Sequence, residues 1–252
     1  MRIGAQLKDK IRQTLVNYHK NLSSPKLSDE LDFVHRTASF FKNRSVNHGQ
    51  QSFSTNARSI DKSPIVEFFH TTPWKNPAAK EIADLLFVSK FKKGNSVIEK
   101  RAVIVQSKFA RTDQRFWKNI DTAQFYLVLN WPAFTRIKPG PPKLYQLQPR
   151  SLAWGTYLFV GPEALDHPVY FTSSRIFKGS PSMFSQKTFT FSPKELNGFD
   201  TSPSFLMRQI LCLIGEDLLA NPNLESFVDE MYRIVGLKPD PPGEFSWVSI
   251  DR

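Results

Sequence analysis

The chain has 252 residues, of which 40% are hydrophobic, so it is long enough to bury a core and too apolar for a disordered protein. Its formal net charge of +11 favours a polyanionic partner such as nucleic acid, although a basic soluble protein without such a partner would carry the same charge. The single cysteine, Cys212, excludes an intrachain disulfide and a cysteine-based zinc site.

Both ends of the chain are predicted to be helical. The first 20 residues are basic and place Ile3, Leu7, Ile11 and Leu15 at helical spacing, which favours a surface helix. The stretch "SDELDFVHRTASFF" begins with a Ser-Asp start signal, and residues 44–64 are rich in Ser, Asn and Gln, which predicts a loop. Near the C-terminus, residues 202–221 are apolar nearly all round, and residues 223–236 carry an apolar stripe that ends at a glycine.

The centre of the chain is rich in predicted strands. Residues 111–131 leave helix and strand open, with aromatic and branched residues favouring a strand at the end. Residues 132–149 contain five prolines, which predicts an irregular surface loop. Alternating or continuous apolar residues predict strands within 83–91, 101–109, 151–161, 167–173 and 186–193.

These patterns predict an α/β fold in three parts. Residues 1–60 form an N-terminal helical segment and polar linker, residues 61–200 the α/β core, and residues 201–252 a C-terminal helical segment packed on the core. No apolar run approaches the roughly 20 residues that a spanning helix needs, so we expect no membrane contact. The single cysteine suits a reducing compartment, and we expect a cytoplasmic protein.

Two strands carry polar residues at the same end of a predicted hairpin. "ADLLFVSKF" and "RAVIVQSKF" are continuous apolar runs, which indicates central strands that are covered on both faces. Folding them back around residues 94–96 places Asp84 about opposite Lys108, with side chains roughly 5 Å apart. Because side chains alternate along a strand, Gln106 and Lys108 share one face and Ser107 lies on the other.

Asp84, Gln106 and Lys108 together suggest phosphodiester chemistry. A carboxylate and an amide carbonyl can each give oxygen to a hard cation such as Mg²⁺ or Mn²⁺. A neighbouring lysine can stabilise developing negative charge or act on the attacking water. Taken singly, each residue has a plain structural explanation: Asp84 could cap a strand or pair with Lys80, Lys108 could be solvated, and Gln106 could be a satisfied polar neighbour.

The arrangement resembles the PD-(D/E)XK nuclease superfamily, in which an Asp that begins one strand is followed on the next by an acid, one residue and a lysine. Here Asp84 and Gln106-Ser107-Lys108 match that pattern over roughly residues 67–126. Gln106 replaces the acid, as in branches such as Mrr-like restriction enzymes, and Ala83 stands where the motif has proline.

The resemblance implies a restriction-endonuclease-like central mixed sheet flanked by helices. It also implies Mg²⁺- or Mn²⁺-dependent cleavage of nucleic acid, with DNA favoured over RNA, as in restriction or antiphage defence. Members often add an acid from the preceding helix, for which Glu81 is the candidate and Glu67 the alternative. In a strict strand Glu81 would face away from Asp84, so it needs a helical or bulged backbone. Gln124 could reach the site from the next element.

Basic residues near the hairpin are candidates for binding the nucleic-acid backbone. They are Lys92 and Lys93 in the link, and Arg111, Arg115 and Lys118 after the second strand. For the two link lysines, a solvated hairpin tip is an equal alternative.

The alternative function is a non-catalytic nucleic-acid-binding or assembly subunit with a nuclease-like fold, because Gln106 lacks the charge of the acid that it replaces. Such a protein could act as a homo-oligomer or as a subunit of a defence complex. A third possibility is an interaction protein whose charge is incidental.

Overall fold

The computed structural model describes residues 4–23, 27–60, 64–70, 76–109, 117–151, 153–160, 169–172, 186–191, 200–234 and 248–249. Within these ranges no helix is both long and apolar enough to cross a membrane. The helices are α1 (Ala5–Ser23), α2 (Glu30–Phe41), α3 (Thr122–Asn130), α4 (Ser202–Ile210) and α5 (Pro222–Ile234).

The strands, in chain order, are β1 (Arg44–His48), β2 (Gln51–Ser59), β3 (Ile65–Phe68), β4 (Ala78–Glu81), β5 (Leu85–Lys93), β6 (Ser96–Phe109), β7 (Trp117–Asp121), β8 (Phe134–Lys138), β9 (Lys143–Tyr145), β10 (Gly155–Val160), β11 (Val169–Thr172), β12 (Thr188–Phe191), β13 (Asp200–Thr201), β14 (Glu216–Asp217) and β15 (Val248–Ser249).

A mixed sheet lies at the centre of the molecule. Its strand order is β13-β11-β10-β6-β5-β2-β1-β15, and β14 also pairs with β6. The strands β2, β5 and β6 pair antiparallel, and β10 then runs parallel to β6 after the chain has passed through α3. A four-stranded sheet, β4-β3-β8-β9, and a β7–β12 pair are separate from it. The expectation of an α/β fold with a central mixed sheet flanked by helices is confirmed.

Helices cover both faces of the central sheet and create two apolar cores. Leu85 and Val105 contribute to the first core, against α1, α2 and α4. Leu86 and Ile104 contribute to the second core, against α3, α5 and the four-stranded sheet. The continuous apolar runs of β5 and β6 are explained by this burial on both sides, as the sequence predicted.

The polar linker predicted within residues 44–64 is wrong, because β1 and β2 form a hairpin in the central sheet. Phe53 and Ala57 of β2 are buried in the first core. The polar Thr55 is buried as well, and its hydroxyl forms a hydrogen bond with the hydroxyl of Ser89 at 3.1 Å. The Ser89 hydroxyl also accepts a hydrogen bond from Gln209 Nε2 at 3.2 Å. Polar side chains that satisfy one another inside the fold therefore conceal this strand in the sequence. The boundary predicted at residue 60 does not separate two units.

Two further expectations between residues 111 and 149 are corrected. The apolar run that favoured a strand forms α3, whose first turn is capped where Asp121 Oδ1 accepts the Gln124 N–H at 2.8 Å. Its apolar residues are buried nearly all round, which removes the helical periodicity from the sequence. The proline-rich stretch is not wholly irregular, because β8 and β9 lie between its prolines and extend the smaller sheet.

Other predicted elements lie where the sequence put them. Strands β10, β11 and β12 fall within the three later predicted strands, and α1 and α5 bury their apolar stripes. The long helix predicted for residues 202–221 is shorter, since α4 ends at Ile210 and β14 follows. Ile3 and the glycine at the end of the α5 pattern, Gly236, lie outside the described residues.

Candidate active site

The β5–β6 hairpin forms as predicted, but with a different register. Leu85 pairs with Val105, so the next residues outward, Asp84 and Gln106, lie opposite each other. The predicted partner of Asp84, Lys108, is two residues further on. The shift arises at the tip, where Lys93 pairs with Ser96, so the turn is centred between residues 94 and 95 and not at Ser96. A β-bulge at Ile98, between the Phe91–Glu99 and Lys92–Val97 pairs, moves the register one residue back towards the predicted one.

Asp84 is fixed at the start of β5 by its own backbone. Its N–H donates to Val105 O at 3.0 Å, and its carbonyl accepts from the Ile60 N–H at 2.8 Å. The side chain is only 3% exposed, and its Oδ2 accepts hydrogen bonds from Gln106 Nε2 at 2.6 Å, from the Ser107 N–H at 2.5 Å and from Ser107 Oγ at 2.7 Å. A buried carboxylate is therefore stabilised by several donors from one strand.

Ser107 contacts Asp84, although strand alternation placed it on the opposite face from Gln106. The reason is that Asp84 lies one residue before β5, in a bend, and its side chain reaches the backbone of β6 at its edge. Sequence reasoning missed this contact because the period of two applies only inside a regular strand.

Gln124 joins the site from α3. Its Nε2 donates to Gln106 Oε1 at 2.6 Å and to the backbone carbonyl of Glu81 at 3.3 Å. The Asp121 cap puts Gln124 at the third position of the helix, beside the ends of β4 and β6. A chain of side-chain amides therefore runs from α3 through Gln106 to the carboxylate of Asp84.

Lys108 is paired with an acid that the sequence analysis did not consider. Its Nζ lies 3.7 Å from Oε1 of Glu30, at the first residue of α2, and Oε2 of Glu30 accepts the N–H of Phe109 at 3.3 Å. The side chains are 20% and 35% exposed, so solvent reaches this pair. No local pattern could have revealed Glu30, because α2 lies far earlier in the chain and meets the end of β6 only in the folded state.

A buried tyrosine borders the site on the other side of Gln106. Tyr157 of β10 pairs with Gln106 in the parallel register and packs against Phe125 with ring centroids 5.4 Å apart. Its hydroxyl has no hydrogen-bond partner among the residues that the structure describes. Burial raises the pKa of Tyr157 well above its usual range, and the negative charges of Asp121, Asp84 and Glu30 add to that effect.

The two acids proposed as additional site residues contribute differently. Glu81 ends β4, and its backbone carbonyl, which accepts from Gln124, is the contact that links it to the site. Glu67 is exposed on β3 in the smaller sheet, paired with Ala79 and Thr135. Lys80, the surface partner considered for Asp84, instead binds Asp121 at 2.6 Å.

The residues predicted to bind the nucleic-acid backbone lie at opposite ends of the β5–β6 hairpin. Lys92 and Lys93 lie at the tip, about 30 Å from Asp84 at the usual rise of about 3.3 Å per strand residue. Lys118 is exposed on β7, just before the helix that carries Gln124. Arg111 and Arg115 lie outside the described residues.

Asp84 and Gln106 are two described residues at this end of the sheet that could give oxygen to a hard divalent cation. Asp84 offers a carboxylate, and Gln106 offers an amide oxygen on the neighbouring strand, with its amide nitrogen 2.6 Å from the carboxylate. Turning that amide about its last bond would place the oxygen beside Asp84. The described residues contain no group of three or more His, Cys, Asp or Glu side chains that could hold a metal.

Comparisons with protein-family models, with curated proteins and with solved structures found no match for this chain. The site is therefore interpreted from its own geometry.

Proposed function

We propose that this protein is a metal-dependent nuclease that hydrolyses phosphodiester bonds in nucleic acid. The observation that carries the proposal is the hydrogen bond between Asp84 and Gln106 at one end of the central sheet, with Lys108 two residues further along β6. The carboxylate, the amide and the amine are contributed by two adjacent strands, as the resemblance to PD-(D/E)XK nucleases implies. The strands β2, β5 and β6, followed by α3 and the parallel strand β10, supply a mixed sheet of the kind that the resemblance requires.

Asp84 and Gln106 are the residues that would hold the metal, with the Gln106 amide turned. Bound Mg²⁺ or Mn²⁺ would polarise the phosphodiester and neutralise charge that develops on its oxygens. The amine of Lys108, which is paired with Glu30, would stabilise the same charge or orient the attacking water. Glu30 is the acid that the nuclease resemblance expects from a preceding helix, a role for which Glu81 and Glu67 were the sequence-based candidates.

The basic composition supports a nucleic-acid substrate. A net charge of +11 favours association with a polyanion through contacts that do not depend on sequence. Because Lys92 and Lys93 lie about 30 Å from Asp84, only an extended substrate of several base pairs could contact both ends of the hairpin at once. Lys118 is better placed for phosphates near the site.

A non-catalytic nucleic-acid-binding subunit is the second candidate, and one observation favours it. Oδ2 of Asp84 already accepts three hydrogen bonds from β6, and the oxygen of Gln106 already accepts from Gln124. A site in which Asp84 Oδ2 and Gln106 Oε1 already accept these hydrogen bonds from the protein resembles a structural network. This candidate predicts salt-dependent retention of nucleic acid without hydrolysis.

The experiment that tests the proposal measures cleavage of plasmid DNA, single-stranded DNA and RNA in Mg²⁺ or Mn²⁺, with EDTA as the metal-free reference. Lys108→Ala is expected to abolish cleavage while the protein stays folded. Lys143→Ala is the matched control, because Lys143 is likewise paired with a glutamate, Glu230, but lies in the smaller sheet. Equal cleavage by wild type and Lys108→Ala would refute the assignment.

A further inference from the structure

The orientation of the Gln106 side-chain amide, that is, which side its oxygen and its nitrogen face, is determined by the hydrogen-bonding groups on its two sides. On one side is the carboxyl group of Asp84, whose Oδ2 accepts the backbone N–H of Ser107 and takes the Gln106 amide nitrogen at 2.6 Å. On the other side is Gln124, whose own amide nitrogen lies 2.6 Å from Gln106 Oε1 and 3.3 Å from the Glu81 carbonyl. Because that carbonyl cannot donate, Gln124 must present its NH₂ group to it, and the same NH₂ group faces Gln106.

Reversing the Gln106 amide alone is therefore unfavourable while Gln124 stays in place. Its oxygen would face the carboxylate of Asp84, and its NH₂ group would face the NH₂ group of Gln124. All three side chains are nearly buried, with exposed fractions of 3% for Asp84, 2% for Gln106 and 8% for Gln124. Water cannot readily replace the lost hydrogen bonds at such positions.

A hard cation beside Asp84 requires the opposite polarity. It binds oxygen atoms, so it needs the Gln106 carbonyl to turn towards the carboxylate, which breaks the bond from Gln124. We propose that Gln124 is a positioning residue that lowers the affinity of this site for a divalent cation, by holding the Gln106 oxygen away from Asp84. The inference rests on the proposed metal-dependent function and identifies what regulates metal binding at that site.

Two substitutions at Gln124 separate this effect from its alternatives. Gln124→Leu removes the donor and adds no ligand, so the Gln106 amide can turn without breaking a bond from residue 124. Gln124→Glu is nearly isosteric, and a carboxylate at position 124 favours the NH₂ group of Gln106, which turns the Gln106 oxygen towards Asp84. The same carboxylate loses the bond to the Glu81 carbonyl, so the gain is expected to be smaller than in Gln124→Leu. Glutamate at the third position of a helix is favourable, so α3 should tolerate it.

Mn²⁺ binding is measured from the loss of the electron paramagnetic resonance signal of the free ion. A second measurement is the rise of Tm when Mn²⁺ is added to protein that has been stripped of metal with EDTA and then freed of EDTA. In the wild type, the hydrogen bond from Gln124 to the Gln106 oxygen must break before the ion binds, and in the variants it is absent. The loss of one buried hydrogen bond corresponds to about tenfold in affinity, so Gln124→Leu is expected to bind Mn²⁺ about tenfold more tightly than wild type, with a smaller gain in Gln124→Glu. The Tm rise caused by Mn²⁺ should be correspondingly larger in both variants. Asp84→Asn in the Gln124→Leu background should remove the gain, which assigns the bound ion to this site.

Three outcomes would overturn the inference. Equal affinity in wild type and Gln124→Leu would show that Gln124 does not oppose binding. A gain in Gln124→Glu alone would be explained by the added carboxylate. Absence of Mn²⁺ binding in every protein would remove the site itself. Nuclease activity is measured separately. If the wild type cleaves DNA but Gln124→Leu binds Mn²⁺ no more tightly, the proposed function stands and the inference about Gln124 is wrong. If Gln124→Leu binds Mn²⁺ more tightly but no protein cleaves nucleic acid, the inference stands and the proposed function is wrong.

Discussion

The hydroxyl of Ser107 donates to the carboxylate of Asp84 at 2.7 Å, which ties the last polar residue before β5 to the end of β6. The same oxygen also accepts the backbone N–H of Ser107. Ser107 occupies the position whose identity the proposed resemblance to PD-(D/E)XK nucleases leaves open, yet in this protein it helps to hold Asp84 in place.

Replacing Ser107 with alanine tests that hydrogen bond. Ser107 is fully buried, so Ser107→Ala should lower the free energy of unfolding by about 1–3 kcal/mol, since a bond to a charged acceptor is lost. Ser54 provides the matched control, because it is buried in the same sheet and its hydroxyl has no partner within the described residues. Urea unfolding should show Ser54→Ala close to wild type. Equal losses for the two variants would contradict the assigned role of Ser107.

Tyr157→Phe should leave the protein as stable as wild type, or more stable, at neutral pH. The substitution removes a buried hydroxyl that has no hydrogen-bond partner in the described part of the chain, so desolvation without compensation is relieved. A clear loss of stability at pH 7, measured by urea unfolding, would show that the hydroxyl makes a bond that matters.

The same tyrosine predicts a pH dependence at high pH. Burial raises the pKa of Tyr157 above that of the unfolded chain, which is about 10, so above that pH the unfolded state releases a proton that the folded state retains. Stability must therefore fall as the pH rises above about 10. Comparing the wild type with Tyr157→Phe cancels the other tyrosines, and the wild type should lose more stability between neutral and alkaline pH. Parallel curves for the two proteins would contradict a raised pKa.

Cys212 should be unreactive in the folded protein. Burial, with a smaller contribution from the charge of Glu99, raises the pKa of its thiol to about 12. At pH 8 almost no thiolate is present, and the side chain is buried in the first core. A thiol reagent such as 5,5′-dithiobis(2-nitrobenzoate) should modify it only after the protein has been unfolded in guanidinium. Rapid modification of the native protein would contradict this burial.

Gly155 should be required for the approach of β10 to α3. A Cβ atom at this position would lie 2.4 Å from the carbonyl oxygen of Val128 and 2.7 Å from its Cγ1, so Gly155→Ala forces the strand and the helix apart. We expect a loss of about 1–3 kcal/mol in the free energy of unfolding. Gly4→Ala is the control, because a Cβ there meets nothing within 4 Å. If both substitutions are tolerated equally, the packing of α3 against β10 is looser than described.

Continuous apolar runs bounded by polar residues predicted the two central strands. The apolar runs of β5 and β6 predicted central strands, and both lie between two cores. By contrast, β2 was missed because its polar Thr55 finds partners only in the folded sheet, and α3 was missed because nearly all of its surface is buried. In both cases tertiary contacts override the periodicity on which the predictions depend.

The end of the sheet at which the candidate residues lie was predicted, but the register that pairs them was not. That Asp84 and Lys108 lie at the same end of adjacent strands followed from the hairpin, whereas their offset depended on the centre of the turn, between residues 94 and 95, and on the bulge at Ile98. Glu30 joins Lys108 only because α2 packs across the end of β6. The orientation of the Gln106 amide could not be predicted either, since it is determined by Gln124 on a helix that had been expected to end as a strand.

The most direct test of the proposed function is the rate at which purified wild-type protein cleaves plasmid DNA, single-stranded DNA and RNA in Mn²⁺, with and without EDTA. We predict hydrolysis of at least one of these substrates that stops in EDTA and returns when Mn²⁺ is restored. Retention of nucleic acid at low salt with no metal-dependent cleavage of any of the three would contradict the nuclease assignment and would favour the non-catalytic binding protein.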